Sequence, residues 1–183
     1  MALVLASLPV APAIELADAK QHLRVTHDAE DDYIASLVEA ATQYVEDQVS
    51  VSIMARDYDL SLGGFSDRIL LPRGPVTAVD SISYIDADGV EQVLPKSEYL
   101  VDLSPDLPMI VRNAYSQWPT TAKVPNAVTV RYSAGDFLAP LRFTPLLQAI
   151  LLLVAEWFDN RTASSEPPNA VEALLQPFRR VAF

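Results

Sequence analysis

Two histidines and a run of acids are the first place in this sequence where chemistry could sit. His22 and His27 are the only histidines, and Asp28, Glu30, Asp31 and Asp32 follow directly. Imidazole and carboxylate groups can hold a divalent metal or move protons, but only when their donor atoms converge on one point. Neighbouring positions in a first helical turn point in different directions, so these acids read as compensation for a helix dipole rather than as a metal shell. Asp86-Ala87-Asp88-Gly89 has the opening of a calcium loop, yet its glycine comes too early and the distal bidentate Glu is missing. A type I′ hairpin turn is the expectation there. Gly64-Phe65-Ser66-Asp67 is not a GxSxG nucleophile elbow, and the five glycines form no phosphate-cradling GxGxxG or GxxxxGK loop. With no cysteine, disulfides, thiolate metal sites and cysteine nucleophiles are excluded. The residues therefore point to a protein that is not an enzyme and uses no metal and no cofactor.

Binding chemistry is better represented. Phe178, Arg179, Arg180, Val181 and Phe183 place aromatic and guanidinium groups, the types enriched at interaction hot spots, on a short terminal segment without acids. That segment, 178–183, is expected to dock on a partner. Trp157 continues an apolar helical run and is expected in the core. Trp118 sits among prolines, where local packing and an interface role are equally open.

These residues must be held by larger elements. Leu16, Ala19 and Leu23 predict a short helix over 15–24. Ile34, Leu37, Val38, Ala41, Val45 and Val49 predict a second over 29–49, entered through Thr26-His27-Asp28 as capping residues. After Ser50 the period changes to two. Tyr58, Leu60 and Leu62, then Ile82 and Tyr84, then Val128, Val130 and Tyr132 alternate with polar residues, as half-buried antiparallel strands do. Helix returns at Thr144-Pro145, read as N-cap and first helical position, and runs through LLQAILLLVAEWFDNR. A last helix is expected to open at Asn169 with Glu172 completing a capping box. The fold class expected is α+β, a helical bundle frame at 14–50 and 140–183 with a small antiparallel β region inserted at about 54–136. All of it belongs to one domain of 183 residues.

Composition narrows the function. Half the residues are hydrophobic and a fifth are charged, which is globular rather than disordered. Met1 to Ile14 is apolar, but it holds no Lys or Arg and is broken by Pro9 and Pro12, so it does not read as a secretory signal. Leu146 to Phe158 is shorter than the roughly 20 residues a bilayer needs, so it reads as a core helix and no membrane partner is expected. The net charge of −11 opposes a general grip on phosphate backbones, and −7 of it falls within residues 1–50.

The order of segments carries a resemblance. ELADAKQHLRV, then HDAEDDYIASLVEAATQYVED, then SISYIDADG, PNAVTVRYSAG, PLLQAILLLVAEWFDNR and NAVEALLQPFRRV resemble, in that order, the phage head-tail connector (adaptor) family, which also occurs in prophages and gene transfer agents. The likeness covers about Ile14 to Val181. It implies a virion structural protein, made in the host cytoplasm and placed in the neck between head and tail. It further implies a ring of about twelve copies beneath the portal, with a stopper or tail-completion protein below. DNA would pass through the ring without sequence-specific binding. The implied portal-docking residues are Phe178, Arg179, Arg180, Val181 and Phe183. The acidic residues Asp28, Glu30, Asp31, Asp32, Glu39, Glu46 and Asp47 are candidates for the channel wall on charge alone. A soluble, non-catalytic interaction domain with an acidic face is the alternative, and ring assembly separates the two.

Overall fold

The structure, a computed structural model, describes residues 1–7, 11–104, 107–135, 140–161 and 167–179, with 140–142 described by backbone alone. The chain divides into two compact units. One is helical, Ala11–Met54 with Phe137–Phe183; the other is β, Met1–Val10 with Ala55–Asp136.

In the helical unit α1 spans Leu16–Leu23, α2 Asp31–Val49, α3 Pro140–Asn160 and α4 Asn169–Leu175, followed by a 3₁₀ turn at Gln176–Phe178. The 3.6-residue period does what it predicts. Ile34, Val38, Ala41, Val45 and Val49 of α2 are buried in one cluster with Phe143, Leu146, Ile150, Leu153, Val154 and Trp157 of α3 and with Val171 and Leu175 of α4. Burial of each Val, Leu or Ile is worth about 1.5–3 kcal/mol. Both α1 and α2 end on a left-handed residue, Arg24 and Ser50, whose backbone N–H groups turn back to late carbonyls of the helix.

The helix starts differ from expectation. At α2 the N-cap is Glu30, with no side-chain cap bond, because Asp28 is drawn instead into an ion pair with Lys20. α3 begins at Pro140, so Pro145 lies inside the helix, where it costs one backbone bond near the N-terminus. Asn169 is the first helical residue of α4 rather than its cap, and the N–H groups of Val171 and Glu172 reach the Pro168 carbonyl.

The β unit overturns the expected architecture. The α+β mixture holds, but not as a helical bundle frame carrying one small β region. The strands are β1 Ala2–Leu5, β2 Arg56–Leu62, β3 Arg68–Leu70, β4 Val76–Ile85, β5 Glu91–Val93, β6 Tyr99–Asp102, β7 Met109–Arg112 and β8 Val128–Ala134. They form two antiparallel sheets, a five-stranded one ordered β1-β2-β8-β4-β5 and a three-stranded one ordered β3-β7-β6. The physical reason is a second hydrophobic core. Tyr58, Leu60, Ile82, Val128, Val130 and Tyr132 from the first sheet are buried in one cluster with Ile69, Tyr99 and Ile110 from the second. Two sheets sealing a shared core make a body in their own right rather than a flap on a helical frame.

Register follows alternation. Tyr58 faces Tyr132 and Leu60 faces Val130 across β2 and β8, and the two tyrosine rings stack with centroids 5.6 Å apart. Burial pushes the Tyr132 phenol pKa up, and its hydroxyl donates to the Pro72 carbonyl. The Asp86 to Val90 connection is a hairpin, but not type I′. Of its residues only Gly89 has positive φ, at 83°, and its N–H returns to the Asp86 carbonyl at 3.0 Å. That is a type I turn closed by a left-handed glycine. The Asp86 carboxylate also accepts from the Asp88 and Val90 N–H groups at 3.0 and 2.9 Å, which ties the loop to its own first residue.

Candidate functional site

The sequence-predicted site residues all lie in the helical unit, at the start of α2, along it, and after α4. At the start, Lys20 on α1 donates to Asp28 and to Asp31, each at 2.6 Å. These bonds raise the Lys20 pKa and hold the Asp28 carboxyl below its ordinary value. Glu30 pairs with Arg161, whose guanidinium also lies over the Tyr33 ring, 4.9 Å from its centroid. Three of the candidate wall acids are thus engaged with cations of their own chain. His22 and His27 are exposed. Among the described residues no group of three His, Asp or Glu is placed to hold a metal ion.

Glu46 is a correction. It is 1% exposed, and its Oε1 accepts the Ile53 N–H at 2.7 Å. A buried carboxylate spent on the backbone of the α2–β2 connection offers no charge to a channel; it orders the turn through Val51 and Ile53. Asp32, Glu39 and Asp47 are exposed, and with Ser36 and Gln43 they follow spacing of four, three, four and four, which places them along one side of α2. That polar stripe is what remains of the acidic face.

At the C-terminal end the described residues stop at Arg179, so Arg180, Val181 and Phe183 lie outside the described residues. Phe178 packs half-buried against the helical core. Arg179 donates to Glu172 at 2.6 Å and lies 3.5 Å from Gln48 Oε1. An exposed pair of this kind is worth about 0–1 kcal/mol and exchanges partners at little cost. In the β unit Trp118 is resolved in favour of local packing: it stacks on Phe65 with centroids 4.7 Å apart and donates from Nε1 to the Ser66 carbonyl at 3.0 Å.

One surface escaped sequence reasoning. Leu70 and Leu100, on the outward side of the three-stranded sheet, are 40% and 54% exposed. The strands that carry them are short, and the segment Tyr99–Asp102 shows no hydrophobic alternation that would have announced an outward leucine.

Comparison with known proteins follows the same outline. The sequence profile of the phage gp6-like head-tail connector proteins matches residues 13–105, and the chain belongs to that family. A search of curated proteins finds no match. Among solved structures, a chain in the neck of an empty gene transfer agent particle, computed with C6 symmetry, is 25% identical with a TM-score of 0.83; the match covers 100% of this chain and 97% of that one. A chain in the virion of a native gene transfer agent particle matches at 25% identity and TM-score 0.80, with the same coverage. A chain in the neck of the native particle, computed with C12 symmetry, matches at 24% identity and TM-score 0.81.

Proposed function

We propose that this protein is a non-catalytic structural subunit in the neck of a phage or phage-like particle, made in the host cytoplasm and assembled there between head and tail. It forms a cyclic ring of about twelve copies beneath the portal, extends the DNA channel, and offers a platform to a stopper or tail-completion protein. The observation that carries this reading is membership of the connector family together with likeness over the whole chain to proteins of gene transfer agent necks.

The channel role draws on charge. DNA must slide, so a wall that neutralises no phosphate avoids the counterion release that would make the duplex stick. Asp32, Glu39 and Asp47, along one side of α2, are the residues assigned to that wall; Asp28, Glu30 and Asp31 reach it only as members of ion pairs. Portal docking is assigned to the segment 178–183. Phe178 roots it in the helical core, Arg179 can exchange Glu172 for a carboxylate on the portal, and Arg180, Val181 and Phe183 supply the contact.

Deleting the gene for this chain tests the reading. The expected products are DNA-filled heads without tails, restored to complete particles by the wild-type gene supplied in trans. Complete, infectious or transducing particles from the deletion strain would exclude a connector role.

A further inference from the structure

Arg179 is the point at which the docking segment leaves the fold. The 3₁₀ turn Gln176–Phe178 ends there in extended backbone, and Phe178, just before it, is packed against the helical core. The Arg179 guanidinium is nevertheless held on the helical unit. It donates to Glu172 Oε2 at 2.6 Å and lies 3.5 Å from Gln48 Oε1, so α4 and the end of α2 both offer it an acceptor. The Tyr44 phenol, whose pKa is raised by burial and by Glu172 and lowered by Arg179, stands beside the same pair. Glu172 is the one charged residue on α4 and the last acid in the chain. With side chains 44% and 37% exposed, the pair is within reach of another protein.

A guanidinium already bonded to a carboxylate gains nothing by moving to an apolar or cationic surface, because it would give up a charge-assisted bond and receive none. Moving to a second carboxylate keeps the number of bonds and the pairing of charges. That exchange is nearly balanced, and the apolar contacts made by the rest of the segment can drive it.

We infer that Glu172 is a placeholder: in the free subunit it occupies the position on Arg179 that a carboxylate of the portal takes in the assembled neck, and so it competes with the portal for the docking segment. This rests on the docking reading given above and adds to it the chemistry of the receiving surface and an internal brake on engagement. An exposed pair shifts an equilibrium by at most about fivefold, so the brake is light on one subunit and multiplies across a ring.

Two measurements on the full chain test it. In the isolated subunit, nitrogen-15 relaxation of the Arg179 Nε–H should report a restrained side chain that Glu172→Ala sets free; equal restraint in both overturns the placeholder. Against purified portal rings of the same particle, Glu172→Ala should bind about two- to fivefold more tightly than wild type and Arg179→Ala more weakly, while Glu172→Ala should change nothing in a chain that already carries Arg179→Ala. A gain that survives in the Arg179→Ala chain comes from lost negative charge alone and overturns the inference. So does binding of Glu172→Ala equal to or weaker than wild type. Arg179→Glu should bind less than Arg179→Ala, since it sets carboxylate against carboxylate; equal or better binding means that the portal offers Arg179 no carboxylate. If Arg179→Ala binds like wild type the inference fails but the docking reading stands, provided that removing 180–183 still abolishes binding. If that removal is also without effect, the docking reading falls with it.

Discussion

The two units handle their carboxylates in opposite ways. In the helical unit acids at and just before the start of α2, and one on α4, are met by long cations from other segments, Lys20 for Asp28 and Asp31, Arg161 for Glu30, Arg179 for Glu172. In the β unit one acid, Asp59, is likewise met by a long cation, Arg131, but others are met by backbone N–H groups or short hydroxyl side chains. Asp86 takes the N–H groups of its own turn, Asp102 takes Ser104, and Asp57 takes the hydroxyls of Ser7 and Ser133 at 3.2 and 2.8 Å. Long flexible cations can be recruited by a partner, whereas a turn that supplies its own donors has nothing to exchange. The lesson is that acidity alone does not identify a working surface; what satisfies each acid does.

The largest effect that can sharpen this contrast comes from the cores themselves. Leu153→Ala in α3 and Ile110→Ala in β7 each open a cavity at a site no more than 1% exposed, and each should cost about 2–5 kcal/mol. Urea unfolding followed by far-ultraviolet circular dichroism should show an early helical loss for the first, while the second spares the helical signal. Equal, concerted loss in both variants would mean that the units do not unfold separately.

Glu46 comes next, as the acid in the helical unit that behaves like those of the β unit. Glu46→Ala strands the buried Ile53 N–H and should cost about 1–3 kcal/mol, while Glu46→Gln, which keeps an acceptor oxygen, should recover part of it. Equal destabilisation by both in thermal unfolding would show that charge rather than the backbone bond matters.

Acid comes third. The carboxyl pKa values of Asp28, Asp59, Asp86 and Asp102 are all lowered, by hydrogen bonds from Lys20, from Arg131, chiefly from the Val90 N–H, and from Ser104 respectively. A carboxyl lowered by folding contributes stability that is present above its unfolded value and is lost as pH falls through the folded one, so the unfolding midpoint should drop below about pH 4. Lys20 is raised, and its contribution is lost only as pH climbs through its folded value, above 10.5. Added salt should weaken the Asp28 shift measured by NMR more than that of Asp86, whose donors are largely backbone. A larger salt effect on Asp86 would reverse the comparison.

The smallest effect on stability should come from the end of the chain. Removing 180–183 should leave the unfolding midpoint unchanged, because Phe178 and Arg179 remain, and should abolish assembly onto portals. A lowered midpoint with normal assembly would place those residues in the fold instead.

Periodicity made much of the helical unit legible: the spacing of Ile34, Val38, Ala41, Val45 and Val49 fixes both the extent of α2 and its buried face. Alternation did the same for β2, β4 and β8. Capping residues misled, because Asp28, Thr144 and Asn169 each satisfy a local rule that an ion pair, an earlier helix start or the Pro168 carbonyl overrides. β1 and the three-stranded sheet were not legible, since strands of three or four residues are too short for a period, and their pairing depends on contacts distant in sequence. For the same reason Leu100 gave no sign of facing outward. Of the acids, the burial of Glu46 could not be read from α2 alone, because the group that buries it there, the Ile53 N–H, belongs to the turn beyond the helix.

The two tryptophans fall one to each unit. Trp157, 8% exposed, meets the Tyr44 ring edge-on among the helices, while Trp118 lies flat on Phe65 beside the sheets. An indole shielded from water emits at shorter wavelength than one that is partly wetted, so the chain carries two built-in optical probes with different colours. Replacing one at a time with Phe leaves a single emitter in a chosen half. Neck assembly can then be followed by light, with the half that changes its surroundings identified as each neighbouring protein is added.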